Sequence, residues 1–122
     1  SVAPVVEAMM PKMLTHDAPE DMRERVLEIM NSSSTEGVIA ALEAMATRAD
    51  SSDLLPKIAV PTLVVVGAED TITPPTDAQR MARLIPNATY VEIPGAAHLS
   101  NYEKWERFNH AVVSFTTSEN VR

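Results

Sequence analysis

Residues 58–70 read IAVPTLVVVGAED, and this stretch decides the fold. The run from Thr62 to Val66 is mostly β-branched, and Gly67 ends it. A continuous run of this length and composition is typical of a strand buried on both faces, as strands are in parallel sheets. The sequence therefore predicts a parallel β-strand here and an α/β fold around it.

The residues that follow predict a β-α-β unit. Pro74 and Pro75 open a helix, because proline is well tolerated in the first helical turn, and Pro86 closes it. A second strand from Ala88 to Ile93 completes the unit. Crossovers of this kind are right-handed almost without exception, so the helix is expected to cover one face of the sheet.

A last helix is expected after His98. Its apolar residues recur three and four positions apart, which predicts a face packed on the sheet: Trp105, Phe108, Val112 and Phe115. Four charged residues are expected to face water: Glu103, Lys104, Glu106 and Arg107. The tail after Thr116 is expected to fray.

The N-terminal residues follow a different pattern. Their apolar side chains recur at helical spacing in three successive stretches. We predict that Asp17 caps the second helix and Ser33 the third. The chain is thus predicted to hold a three-helix segment in residues 1–53 and a β-α-β-α unit with parallel strands in residues 54–122.

Composition narrows the range of functions. The 122 residues suit one small domain, and 17 acidic against 10 basic residues give a net charge of −7, which repels nucleic acid and anionic lipid. The longest apolar stretch is too short to span a bilayer. We therefore expect neither a nucleic-acid nor a membrane partner. Because the chain has no cysteine and no need of an oxidising compartment, we expect a cytoplasmic protein.

Two residues occupy positions at which open parallel sheets bind ligands. Asp70 follows the carboxyl end of the first strand, and His98 lies in a glycine-containing loop after the second. Ligands bind at this edge of such sheets, so the two side chains are predicted to meet there. An aspartate that accepts a hydrogen bond from an imidazole fixes its tautomer and orientation, as in a Ser-His-Asp triad. Asp70 and His98 are therefore the candidate catalytic residues.

Three motifs carry a resemblance to a known family: residues 58–70, Thr73-Pro74-Pro75 and Gly95-Ala96-Ala97-His98. They resemble the C-terminal portion of an α/β-hydrolase, in which Gly-x-x-Asp after a strand supplies the triad acid and a later Gly-x-x-His supplies the general base. The resemblance implies these roles for Asp70 and His98, on a truncated α/β-hydrolase fold. Residues 1–50 look, more weakly, like the cap of the enol-lactonase and small-carboxylesterase branch. A methionine-rich cap of this kind implies a small, apolar, ester-like substrate.

The serine nucleophile of such a hydrolase is missing from these 122 residues. The chain has three glycines, Gly37, Gly67 and Gly95, and none of them flanks a serine as the Gly-x-Ser-x-Gly elbow requires. Three hypotheses therefore stay open.

In the first hypothesis, the chain hydrolyses ester-type bonds with a water that a divalent metal such as zinc activates. Asp70 and His98 would be two of the ligands, with His16 as the candidate third and His110 or a glutamate as alternatives. In the second, the chain is a non-catalytic half that completes a triad with a separate N-terminal half. In the third, it is a structural dimer with a lipophilic pocket under its methionine-rich helices.

The predicted sheet also has consequences for assembly. Two parallel strands are too few for an independently stable sheet, because three or more strands with a covered face are usually needed. A second copy could cover the exposed edges by strand pairing or by exchange of helices. We therefore predict an obligate homo-oligomer, most simply a homodimer.

Overall fold

The computed structural model describes residues 1–118 of the 122. In chain order its elements are α1 (Ala3–Met13), α2 (Glu20–Asn31), α3 (Thr35–Thr47), a 3₁₀ helix (Ser52–Lys57), β1 (Thr62–Gly67), α4 (Pro75–Leu84), β2 (Ala88–Ile93), α5 (Ser100–Glu103) and α6 (Trp105–Thr117). The predicted fold class is confirmed: three helices precede a β-α-β-α unit whose last helix is split at Lys104. None of the helices in this part of the chain has the length and apolar character needed to cross a bilayer.

The two strands pair in parallel. Thr62 lies opposite Ala88 and Gly67 lies opposite Ile93, so both strands end at the same edge of the sheet. Within residues 1–118 the sheet has these two strands only, and the outer edge of each has no partner strand. The loops that carry Asp70 and His98 therefore leave the sheet side by side.

Helix α4 covers one face of the sheet. Alternate residues of β1, Val64 and Val66, point to this face and form the core with Ala78 and Ile85. This alternation follows from the pleat of a strand, in which successive side chains point to opposite faces. Pro75 is the first residue of α4, as the sequence predicts.

Helix α6 lies against the other face and buries none of its residues fully. Ala111 and Phe115 line a groove with Leu63 and Val91 of the sheet. Trp105, at the start of the helix, is 55% exposed, so the prediction that it packs on the sheet is wrong. Helical spacing identifies a face of a helix, but it does not show how far along that face the sheet extends.

In the helical segment, α1 packs on α2, and the two bury Val6 and Val26. The predicted caps of the later helices are wrong by one or more residues. Pro19 precedes α2 without any side-chain cap, and Ser34, not Ser33, caps α3 by accepting a hydrogen bond from the Gly37 amide at 3.0 Å. Neighbouring serines fit the cap pattern equally well, and the path of the backbone selects one of them.

The boundary between residues 53 and 54 remains a prediction. The last four positions of the predicted second segment, residues 119–122, lie outside the described residues. Helix α6 continues to Thr117, so the tail that was expected to fray is helical for one residue beyond Thr116, and its final part falls outside the description.

Candidate active site

Asp70 lies in the turn after β1, and its carboxylate is enclosed by hydrogen-bond donors. The residue is 5% exposed. Its Oδ1 accepts from the amides of Ile72 at 2.9 Å and Thr73 at 3.0 Å, and its Oδ2 accepts from the Thr73 hydroxyl at 2.9 Å. Burial raises the pKa of Asp70, but hydrogen bonds from Thr73, His98 and Ile72 outweigh burial and hold the pKa below its ordinary value. The carboxylate is therefore ionised at neutral pH.

His98 lies in the loop after β2, and this loop packs on the end of β1. Gly95 in the loop has φ +67°, a conformation that glycine adopts without strain. The buried Ala96 accepts a hydrogen bond at its carbonyl oxygen from the Glu69 amide at 2.9 Å. A Cβ on Gly67 would lie 2.4 Å from that same oxygen, so glycine at the end of β1 allows this approach. Two glycines and one backbone hydrogen bond thus join the two loops.

The structure brings Asp70 and His98 together. Nδ1 of His98 lies 3.0 Å from Oδ2 of Asp70, across 28 positions of sequence. Because an ionised carboxylate can only accept, the hydrogen-bond network assigns the Nδ1 proton to the imidazole. The His98 side chain is 32% exposed, and no group in residues 1–118 hydrogen-bonds to its Nε2. Nε2 is therefore free to exchange a proton with a bound molecule.

Glu103 was expected to face water, and that prediction is wrong. The residue is 7% exposed, and its carboxylate accepts hydrogen bonds from the amides of Thr15 and Ala97, each at 2.9 Å, and from the Thr15 hydroxyl. Glu103 ends the short helix α5, so the helical spacing of α6 says nothing about the direction of its side chain. The only signal in the sequence for this contact was the short separation between Glu103 and the loop that carries His98.

The candidate third metal ligands do not complete a metal site among the described residues. His16 is exposed in the loop after α1, and His110 lies on α6 with its Nε2 3.4 Å from the Ser114 hydroxyl. Among the described residues, no three His, Cys, Asp or Glu side chains gather closely enough to hold a metal ion. The predicted set of Asp70, His98 and His16 is therefore not assembled within one chain.

A cleft of about 350 Å³ follows the open edge of β1. It extends from Thr62 to Gly67 and reaches Asp70 and His98 at the carboxyl end of the strand. Ala78 and Met81 of α4 form part of its wall. The unpaired strand edge and the Asp–His pair thus border one continuous space.

Known proteins are similar to this chain in sequence and in fold. Residues 11–104 match the family model described as the alpha/beta hydrolase fold. The 3-oxoadipate enol-lactonase 2 of Acinetobacter baylyi is 38% identical over 96 residues, which cover 79% of this chain and 35% of the lactonase.

Solved structures of an esterase and an enol-lactonase superpose on this chain. A thermophilic esterase from Thermogutta terrifontis, determined with malate bound, superposes with a TM-score of 0.88 at 38% identity, over 91% of this chain and 42% of the esterase. The enol-lactonase from Burkholderia xenovorans LB400 superposes with a TM-score of 0.83 at 30% identity, over 96% of this chain and 45% of the lactonase. The chain therefore spans less than half the length of each of these relatives.

Proposed function

The chain belongs to the α/β-hydrolase fold family, and from that premise we propose that it carries the acid and the general base of a hydrolase that cleaves ester-type bonds in small molecules. Asp70 is the acid and His98 the base. The nucleophile is a serine outside these 122 residues, on another part of the same polypeptide or on a separate chain. We use "assembled enzyme" for these residues together with the segment that bears the nucleophile.

One observation carries the proposal: the buried, ionised Asp70 accepts from Nδ1 of His98 at 3.0 Å. This contact leaves Nε2 as the nitrogen that removes the proton of a serine hydroxyl and later returns it to the leaving group. The Thr73 amide and hydroxyl hold the carboxylate in place. The imidazole therefore has one tautomer and one orientation before a substrate binds.

The open edge of β1 supports a nucleophile that comes from outside. Its backbone groups have no partner strand within residues 1–118, and the cleft beside them leads to His98. An unpaired strand edge is a ready template for another strand. A segment that pairs there brings its own residues to the carboxyl edge of the sheet, where ligands of parallel sheets bind.

The names of the relatives and the apolar residues near the site support a substrate class. The relatives include an esterase and enol-lactonases, whose names specify ester and lactone bonds. Ala78 and Met81 contribute apolar wall to the cleft, and the half-buried methionines of α1 add further apolar surface in the helical segment. We therefore propose small carboxylic esters or lactones with an apolar acyl part.

A water activated by a metal is the alternative, and it has less support. Each oxygen of Asp70 already accepts two hydrogen bonds, so a zinc ion would have to displace at least one of them. Nδ1 of His98 is engaged by Asp70, which leaves Nε2 for any ion. Ligands beyond these two would have to come from outside the described residues, because His16 does not join Asp70 and His98 there.

The experiment that tests the proposal uses a fluorophosphonate probe, which reacts with activated serines, and a panel of p-nitrophenyl esters from acetate to octanoate. In the assembled enzyme we expect the probe to label the serine and the esters to be hydrolysed, and we expect a metal chelator to affect neither reaction. We expect His98→Ala to lower kcat by about 10⁴-fold or more. His110→Ala, on the surface of α6, is the matched control and should retain activity.

Two outcomes would contradict the proposal. Turnover by the 122 residues alone, abolished by chelator and by His98→Ala, would establish the metal-dependent hydrolase instead. Full activity of the assembled enzyme with His98→Ala would remove His98 from the mechanism.

The cytoplasmic location remains a prediction, which fractionation of the cells that make the protein would test.

A further inference from the structure

We propose that Glu103 is a positioning residue, which sets the place of His98 and ties the loop of His98 to the helical segment. The proposal rests on the proposed function, since it adds a residue to the same site. Glu103 does not touch the imidazole. Glu103 acts through the backbone of Ala97, the residue that precedes His98.

The carboxylate of Glu103 is buried and hydrogen-bonded to two separate parts of the chain. Within residues 1–118 no Lys, Arg or His lies within ion-pair distance of it, so no opposite charge offsets its burial. Instead it accepts from two backbone amides and one hydroxyl, those of Thr15 and Ala97. Hydrogen bonds to a carboxylate are shorter and stronger than hydrogen bonds between neutral groups. Both oxygens are used, and each reaches a different part of the chain.

These bonds act on both sides of the histidine. The Ala97 amide donates to Glu103 Oε2 at 2.9 Å, and the Leu99 amide donates to the Met13 carbonyl at 3.0 Å. The residues before and after His98 are therefore both held by groups outside the loop. Since the backbone on each side of the histidine is fixed, so is the point from which its ring projects toward Asp70.

The other end of this connection lies in the helical segment. Thr15 donates its amide to Glu103 Oε1 at 2.9 Å, and its carbonyl accepts from Arg23 Nη2 of α2 at 3.0 Å. Arg23 also donates to the His16 carbonyl at 3.1 Å. A continuous chain of hydrogen bonds thus runs from α2 through Thr15 and Glu103 to the loop of His98, so the helical segment and the base keep a fixed relative position.

Two variants separate the positioning of His98 from the stability of the fold. Glu103→Met keeps the length of the side chain but accepts no hydrogen bond from either amide. Thr15→Val keeps the shape of Thr15 and removes only the bond from its hydroxyl to Glu103. Both variants lose buried hydrogen bonds, but Glu103 alone contacts Ala97.

The experiment compares these variants in the assembled enzyme by two measurements. The first is the ¹H–¹⁵N signal of the His98 Nδ1 proton, and the second is kcat and KM for p-nitrophenyl butyrate. In Glu103→Met we expect the Nδ1–H signal to broaden or vanish, and kcat to fall about 10- to 100-fold with KM changed by less than about threefold, as for a slightly misplaced catalytic group. In Thr15→Val we expect the signal to persist and kcat to stay within about threefold.

An unchanged Nδ1–H signal and kcat in Glu103→Met would overturn the proposal, as would an equal loss in Thr15→Val. If Glu103→Met does not fold, Glu103→Gln replaces it, because its amide nitrogen must face the N–H of either Thr15 or Ala97. Loss of the hydrogen bond to the Ala97 amide changes the chemical shift of that amide, and we then expect the Nδ1–H signal of His98 to change as well. A change in one signal without the other would overturn the proposal. The spectrum requires no turnover, so it decides the role of Glu103 even if the wild-type protein hydrolyses no ester.

Discussion

The carbonyl oxygen of Ala97 lies so close to Gly67 that a Cβ on Gly67 would come within 2.2 Å of it. This contact joins the end of β1 to the loop of His98, and backbone atoms form both sides of it. A side chain at position 67 would therefore push the whole loop away from Asp70.

We expect Gly67→Ala to lower the free energy of unfolding by about 1–3 kcal/mol, the usual cost of overpacking a close contact. Urea unfolding of the assembled enzyme measures this change. Gly37→Ala is the control, because the nearest atom to its new Cβ is the flexible Ser34 hydroxyl at 3.0 Å. Its effect should stay below about 1 kcal/mol. Equal effects of the two substitutions would show that the loop moves easily.

Asp70→Asn should lower kcat by about 10³- to 10⁴-fold and leave KM nearly unchanged. The asparagine keeps the shape of the side chain, but it loses the charge that holds the Nδ1 proton of His98 in place. Steady-state kinetics on an activated ester checks this. The exposed Asp53→Asn is the control. Activity of Asp70→Asn within tenfold of wild type would remove Asp70 from the mechanism.

Thr73→Val should raise the pKa of Asp70 toward its ordinary value. The substitution removes the hydroxyl that donates to Oδ2 at 2.9 Å and keeps the backbone amide that donates to Oδ1. Titration of the Asp70 carboxyl carbon by NMR reports the pKa directly. Thr71→Val, next to Asp70 but with no side-chain hydrogen bond to it in the described residues, should leave that pKa unchanged. A pKa that does not move in Thr73→Val would contradict the role of the hydroxyl.

The lowered pKa of Asp70 predicts how stability changes with pH. The folded protein binds this proton less readily than the unfolded chain, so the stabilisation is fully present above the ordinary Asp pKa of about 4. It is lost as the pH falls through the lower pKa of the folded state. The difference in unfolding free energy between wild type and Asp70→Asn should therefore shrink below about pH 4. A difference that stays constant down to about pH 2 in urea unfolding would contradict this.

The 122 residues alone should sediment as a dimer or larger species at micromolar concentration. The outer strand edges have no partner within the described part of the chain, and exposed edges pair with other strands. Addition of the nucleophile-bearing segment should convert this species to the assembled enzyme. A monodisperse monomer in analytical ultracentrifugation would show that the edges are protected in some other way.

Local patterns in the sequence were sufficient for the architecture. A β-branched run before Gly67 and a proline pair before α4 are local signals, because buried strands and helix starts each need particular residue types. The parallel pairing then follows, since a helix of this length between two strands forms a crossover. Asp70 and His98 were predicted for the same reason: each directly follows a strand, and strands that run in parallel end at one edge.

Only the tertiary structure decided which side chains are buried away from that edge. Helical spacing placed Glu103 in water and Trp105 on the sheet, and both predictions were wrong. The direction of Glu103 depends on Thr15, which is distant in sequence, and the exposure of Trp105 depends on where the sheet ends. A spacing rule describes one helix at a time. Contacts between distant segments, such as the one that ties Thr15 to the loop of His98, arise only when the whole chain has packed.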